Sequence, residues 1–190
     1  VSYTSSNPTG TLAFTPLANQ SGTATITVTV EDAGLDNDLA TTGDNATYSR
    51  TLDVVVNPIN DAPTLDPLDN LTVNEDAAEQ TVNLAGITAG PSESQTLKVT
   101  ASSDNTGLIL DPTVSYTSSN PTGTLVFTPL ADQSGTATIT VTVEDAGLDN
   151  DFATTGDNAT FSRAFEVLVT PVNDDPTLDS LDNLTIDEDA

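Results

Sequence analysis

The sequence predicts an all-β protein built of tandem antiparallel Greek-key β-sandwiches, and three observations carry that prediction. The chain repeats itself at a domain-sized offset. Its best-patterned segments alternate apolar and polar residues with period two. Turn residues separate those segments, and no stretch shows a helical period.

The repeat dominates. Val1–Ala77 and Val114–Ala190 align at an offset of 113 residues and are identical at 63 of 77 positions. Most differences are mild, such as Tyr48/Phe161, Leu52/Phe165, Asp53/Glu166, Ile59/Val172 and Val73/Ile186. Units of open-ended solenoids run about 20–50 residues, so a period this long implies a unit with its own core. Asn60-Asp61-Ala62-Pro63 and Asn173-Asp174-Asp175-Pro176 read as joints. Residues 1–60 are then the C-terminal half of one repeat, 61–173 a complete repeat, and 174–190 the first strand of the next. The repeat pattern leads one to expect further chain at both ends, with any secretion signal outside this window.

Within the complete repeat, Leu71–Asn74, Thr81–Leu84, Gln95–Ala101 and Leu108–Tyr116 are expected strands. Thr124–Thr128 follows, with Leu125 and Phe127 inward, and Pro129–Gly135 turns the chain. Thr136–Val143 alternates strictly: Ala137, Ile139, Val141 and Val143 share one face and threonines line the other, the mark of a strand with one buried side. Phe161–Val169 is the last strand. About seven short strands in roughly 100 residues fit a Greek-key sandwich. Lys98, out of phase with Leu97, Val99 and Ala101, belongs on a solvated face. Arg163 shares the parity of Phe161 and Phe165; it either caps the core end against a carboxylate or turns outward on a bulge.

Composition narrows the partners. Three basic residues face 29 acidic ones, for a formal charge of −26. Nucleic acid binding needs Lys and Arg to displace counterions, so it is excluded as a function class. Insertion into a membrane is not expected either, because no run approaches the roughly 18 apolar residues of a span. Cations are what such a field attracts. The chain has no Cys and no His, which leaves neither disulfides nor the usual ligands of zinc or copper.

Three acidic clusters sit at turns: Glu144–Asp151 with its twin Glu31–Asp38, the joints themselves, and Glu75-Asp76 with its twin Glu188-Asp189. Carboxylates, Asn carbonyls and backbone oxygens are the ligand set of a hard cation such as Ca²⁺. Solvation of the surface explains any one of these acids equally well. Together at a domain joint, however, like charges repel, and a divalent cation relieves that repulsion.

The succession GTLVFTPLADQSGTATITVTVEDAG, a last strand ending VTPVNDDPT, and then LTIDEDA resembles the bacterial cadherin-like and Ig-like tandem repeats of giant surface adhesins, across essentially the whole chain. The resemblance implies Ca²⁺ between successive domains. By it, Asn60, Asp61 and Asp145 meet at the upper joint of the complete repeat, and Glu75, Asp76, Asn173 and Asp174 at its lower joint. Asp32 does for the preceding repeat what Asp145 does here, and Glu144 is an adjacent candidate. The cadherin Asp-Arg-Glu motif is absent, and Ala89–Glu93 stands where an Asp-x-Asp is usual, leaving Glu93. That leaves ligands for no more than one ion per joint.

The function expected is therefore a structural, adhesive extracellular module at the cell surface, its partners the neighbouring repeats of the same chain. A module that itself binds a cell-surface glycan or protein is the alternative, although the few aromatics sit mostly at core parity. Lateral self-association into a filament through exposed Thr-rich edges is another. An enzyme is not expected, since no insertion interrupts the repeat to form a pocket.

Overall fold

The computed structural model describes residues 1–5 and 7–189. Among these described residues nine strands follow in order: β1 Gly22–Glu31, β2 Thr47–Val56, β3 Leu71–Asn74, β4 Gln80–Leu84, β5 Leu97–Ser103, β6 Thr113–Ser115, β7 Gly123–Phe127, β8 Gly135–Asp145 and β9 Thr160–Thr170. Strands β3 to β9 form two sheets, ordered β3-β9-β8-β5 and β4-β7-β6. The chain crosses from one sheet to the other between β3 and β4, β4 and β5, β5 and β6, and β7 and β8. That is the expected Greek-key sandwich.

The inward positions meet in one core. Ile139, Val141 and Val143 of β8, Val167 and Val169 of β9, and Leu125 of β7 are at most 1% exposed. Strands β8 and β9 pair without interruption from Gly135↔Val169 to Glu144↔Thr160, so both keep their apolar side chains on one face. One pairing is parallel: β3 lies beside β9 with Leu71↔Val167 through Asn74↔Thr170.

Two expectations need correcting. The strand expected over Leu108–Tyr116 shrinks to the three residues of β6. The amides of Leu108 and Ile109 both donate to the Asn105 carbonyl in a turn, Asp111 turns back to accept from the Ser103 amide, and Pro112 brings no donor to a ladder. Arg163 neither meets a carboxylate nor sits on a bulge, because the register is unbroken at Val141↔Arg163. Its side chain lies over the Phe161 ring, 4.9 Å from the centroid, and Nε donates to the Leu65 carbonyl at 3.3 Å. Lys98 is on the wet face as expected, 3.5 Å from Glu144.

Residues 1–56 reproduce those pairings of residues 114–169 that they can form alone. Strands β1 and β2 pair over ten positions from Gly22↔Val56 to Glu31↔Thr47, in the register of β8 and β9. A single bridge, Ser2↔Thr11, stands where β6 pairs with β7. Among the described residues no strand packs across the apolar face of β1 and β2: Val30 is 62% exposed, whereas its counterpart Val143 is fully buried.

Candidate functional site

The site grows out of the end of β8. In a strand that alternates in and out, Asp145 falls on the inward side after Val141 and Val143, and it is completely buried. Glu144 falls on the opposite face, 3.5 Å from the Lys98 ammonium. An Asx turn starts at Asp145: its Oδ1 accepts from the Gly147 amide at 2.9 Å. Gly147 follows with φ of 61°, a conformation that glycine adopts without a Cβ penalty. The same Oδ1 accepts from the Ala159 amide, 2.9 Å away across the loop, so one oxygen ties both ends of the loop together.

The other acids of this loop have local work. Asp149 accepts from the Asp151 amide at 3.0 Å, Asp151 from the Ala153 amide at 2.9 Å, and Asp157 from the Leu148 amide at 2.8 Å. The first copy repeats all three, with Asp36, Asp38 and Asp44 accepting from Asp38, Ala40 and Leu35. Most of the acidic cluster is thus a device that folds a long loop.

The linker closes over Asp145. Asn60 Nδ2 donates to Asp145 Oδ1 at 3.1 Å, and Gln95 Nε2 donates to Asn60 Oδ1 at 2.9 Å. Asp61 joins through its backbone, the amide donating to Glu93 Oε1 at 3.1 Å. Among the described residues, the buried oxygens without a partner include Asp145 Oδ2, Glu93 Oε2 and Gln95 Oε1 at this end. A buried acceptor without a donor is costly, and an unpaired carboxylate oxygen most of all. The linker side opens into a cleft of about 740 Å³ lined by polar and apolar residues alike, among them Ile59, Leu148, Asp61, Glu93, Gln95 and Asn150, with Asp145 lying behind its wall. The side-chain atoms at this end that could coordinate a metal are all oxygens, which suits a hard cation. Among the described residues no three carboxylates stand at metal-ligand spacing, so amide, backbone and water oxygens would have to complete a shell.

At the opposite end, Glu75 is 6% exposed, and its Oε1 accepts from the Val172 amide at 2.7 Å. Asn173 Nδ2 turns to the Asp174 carbonyl at 3.2 Å. The Asp174 carboxyl is pushed above its ordinary value, first by desolvation and then by the negative charge of Asp76, Asp132 and Glu75. Asp32, the twin of Asp145, accepts from the Gly34 and Ala46 amides at 3.1 and 3.0 Å but remains exposed. Those two backbone donors, Ala46 first, hold its carboxyl below the usual range.

Gln95 and Asp132 were not among the residues that the sequence singled out. Gln95 stands two residues before β5, and only its buried, unpartnered oxygen marks it. Asp132 stands in the turn before β8, and the one signal for it is that Asn19 occupies the same place in the first copy.

The model of the bacterial Ig domain family matches residues 60–155. No curated protein sequence matches the chain. Among solved structures, domains 1–6 of the surface layer protein SbsC are 17% identical, with a TM-score of 0.41, over 81% of this chain and 17% of that one. Domains 4 and 5 of SbsC are 18% identical, with a TM-score of 0.36, over 66% of this chain and 63% of that one. The titin domains Z1Z2 in complex with telethonin are 16% identical, with a TM-score of 0.40, over 80% of this chain and 62% of that one. The chain spans less than two thirds of each of these structures.

Proposed function

This chain belongs to the bacterial Ig domain family, and on that premise we propose that it is an extracellular, non-enzymatic repeat of a surface stalk or fibre, with Ca²⁺ stiffening its joints. A spacer needs length and uniformity, and near-identical copies at a 113-residue period supply both. The repeat is the unit of length, and the joint sets how freely successive units swing.

The observation that supports calcium is the orphaned Asp145 Oδ2, buried beside the linker that would have to move if the units swung. Asp145, Gln95, Glu93 and the linker residues Asn60 and Asp61 would hold the ion at the upper joint. Glu75, Asp76, Asp132 and Asp174 would contribute at the lower one. A bound Ca²⁺ supplies positive charge that balances these carboxylates. The protein's own part is to fix Asp145 by three hydrogen bonds and to bring the linker against it. Because the linker and the loop after β8 both contribute, the ion favours the docked joint by mass action.

Thermal unfolding in EDTA and across a Ca²⁺ titration tests this. Stability should rise by about 2.7 kcal/mol when free Ca²⁺ stands a hundredfold above its dissociation constant, and Mg²⁺ should do less because it tolerates irregular shells poorly. An unchanged transition up to about 10 mM Ca²⁺, far above the weakest extracellular sites, removes the ion from the proposal and leaves the spacer.

A further inference from the structure

The two joints are held from opposite sides, at neighbouring places in the same motif. At the lower joint β9 ends at Thr170, whose carbonyl accepts from the Glu75 amide at 3.0 Å. Pro171 follows with its φ locked near about −65°, and the Val172 amide donates to Glu75 Oε1 at 2.7 Å. The chain is thus tied to the repeat it is leaving as far as Val172. At the upper joint the ties face the repeat being entered. Asn60 Nδ2 donates to Asp145 Oδ1 at 3.1 Å, Gln95 Nε2 to Asn60 Oδ1 at 2.9 Å, and the Asp61 amide to Glu93 Oε1 at 3.1 Å. Ile59 and Val172 are counterparts at the 113-residue offset, and so are Asn60 and Asn173. We propose that consecutive linker residues are tied to successive repeats by hydrogen bonds of the chain itself, with Gln95 positioning Asn60, so that swing is confined to a pivot at Ile59-Asn60 and Val172-Asn173.

Peptide planes are stiff, so a chain bends only at the φ and ψ of each residue. With one tie on the amide of the first residue and the next tie on the side chain of the second, few torsions remain free between them. Three of the four ties end on a carboxylate oxygen, which makes them stronger than bonds between neutral groups. The fourth joins two neutral amides and decides an orientation. Asn60 carries a donor at one end of its amide and an acceptor at the other. Asp145 needs the donor, and Gln95 Nε2 satisfies the acceptor that this choice turns away from it. Without Gln95 that oxygen would lose its donor in a part-buried place, which is costly.

These ties need no ion. They engage Asp145 Oδ1 and leave Oδ2, the oxygen on which the calcium reading rests, so the ties and a bound cation do not compete. Chelation then widens the swing about the pivot without moving it.

Nuclear magnetic resonance of the full chain in EDTA reads this out. Backbone order parameters at Asn60, Asp61 and Val172 should match those of β8, about 0.85, where a flexible linker falls below about 0.6. Values in the flexible range at any of the three overturn the proposal. Gln95→Met keeps the length of the side chain and removes its donor. It should speed exchange of the Asn60 side-chain amide protons at least tenfold while the β8 amides stay protected, which is the folding control. Unchanged exchange overturns the role of Gln95. At the lower joint Glu75→Gln retains an acceptor and should keep the Val172 amide protected, whereas Glu75→Ala should release it at least tenfold. Equal protection in those two variants overturns that tie, and the parent's order parameters decide by themselves should Glu75→Ala fail to fold. Every measurement is made without Ca²⁺, so failure here and failure of the calcium reading are separate outcomes.

Discussion

Asp145 and Asp32 occupy the same place in the same motif, and their surroundings separate what each oxygen does. In both, Oδ1 holds the loop through two backbone amides; only Asp145 is buried, with Oδ2 left over. Asp145→Asn keeps an acceptor for those amides and removes the charge. It should leave stability in EDTA within about 1 kcal/mol of the parent while erasing the rise with Ca²⁺. Asp145→Ala strips three donors of their acceptor and should cost more than about 2 kcal/mol; thermal unfolding of both variants decides. Titration distinguishes the exposed acids as well. Backbone donors lower the Asp32 carboxyl, so its loop gains stability that is present above the unfolded value and lost as pH falls through the folded one. Asp174 is raised, so its contribution has the opposite sign: present at low pH and lost as pH climbs through the folded value. Carboxyl chemical shifts should show Asp174 titrating above Asp32, and the reverse order would refute the crowding at the lower joint.

Strand β1 and the first ten residues of β8 share the sequence GTATITVTVE yet contribute differently to stability. Ile139 is fully buried in the sandwich, so Ile139→Ala should cost about 3 kcal/mol through lost transfer energy and a cavity. Ile26 is only half-buried, in a sheet that among the described residues consists of β1 and β2, and Ile26→Ala should cost less than about 1 kcal/mol of the same transition. Equal losses in urea unfolding would mean that the first hairpin is packed in solution. Gly147 punctuates the loop after β8. A methyl there meets both a positive φ and the Asp157 carboxyl, so Gly147→Ala should destabilise the complete repeat by about 1–2 kcal/mol.

Over the whole molecule, 29 acidic side chains stand against three basic ones, and like charges repel one another. If divalent cations neutralise the joints, chelation should lengthen and loosen the particle. Small-angle scattering in EDTA should show a larger radius of gyration and greater flexibility than in Ca²⁺. Coincident profiles would leave monovalent screening as the whole of the effect.

Period-two alternation, the 113-residue duplication and the Asn-Asp joints made the sandwich legible before any coordinates, because strand patterning and tandem copying are properties of local sequence. Asp145 and Asn60 were legible as candidates for the same reason: each lies at a motif boundary. Gln95 was not, since its importance comes from an oxygen buried against the linker, and no spacing announces that. The strand expected over Leu108–Tyr116 failed because a turn at Asn105 and the Asp111 cap outweighed β-branched composition. Most tellingly, identical segments ended with different burial: the apolar side of β8 is buried, that of β1 half-buried or exposed. Alternation determined which side of β1 and β8 is apolar; only the presence of strands packed across β8 decided that its apolar side became a core, because burial depends on what lies opposite a face and not on the face itself.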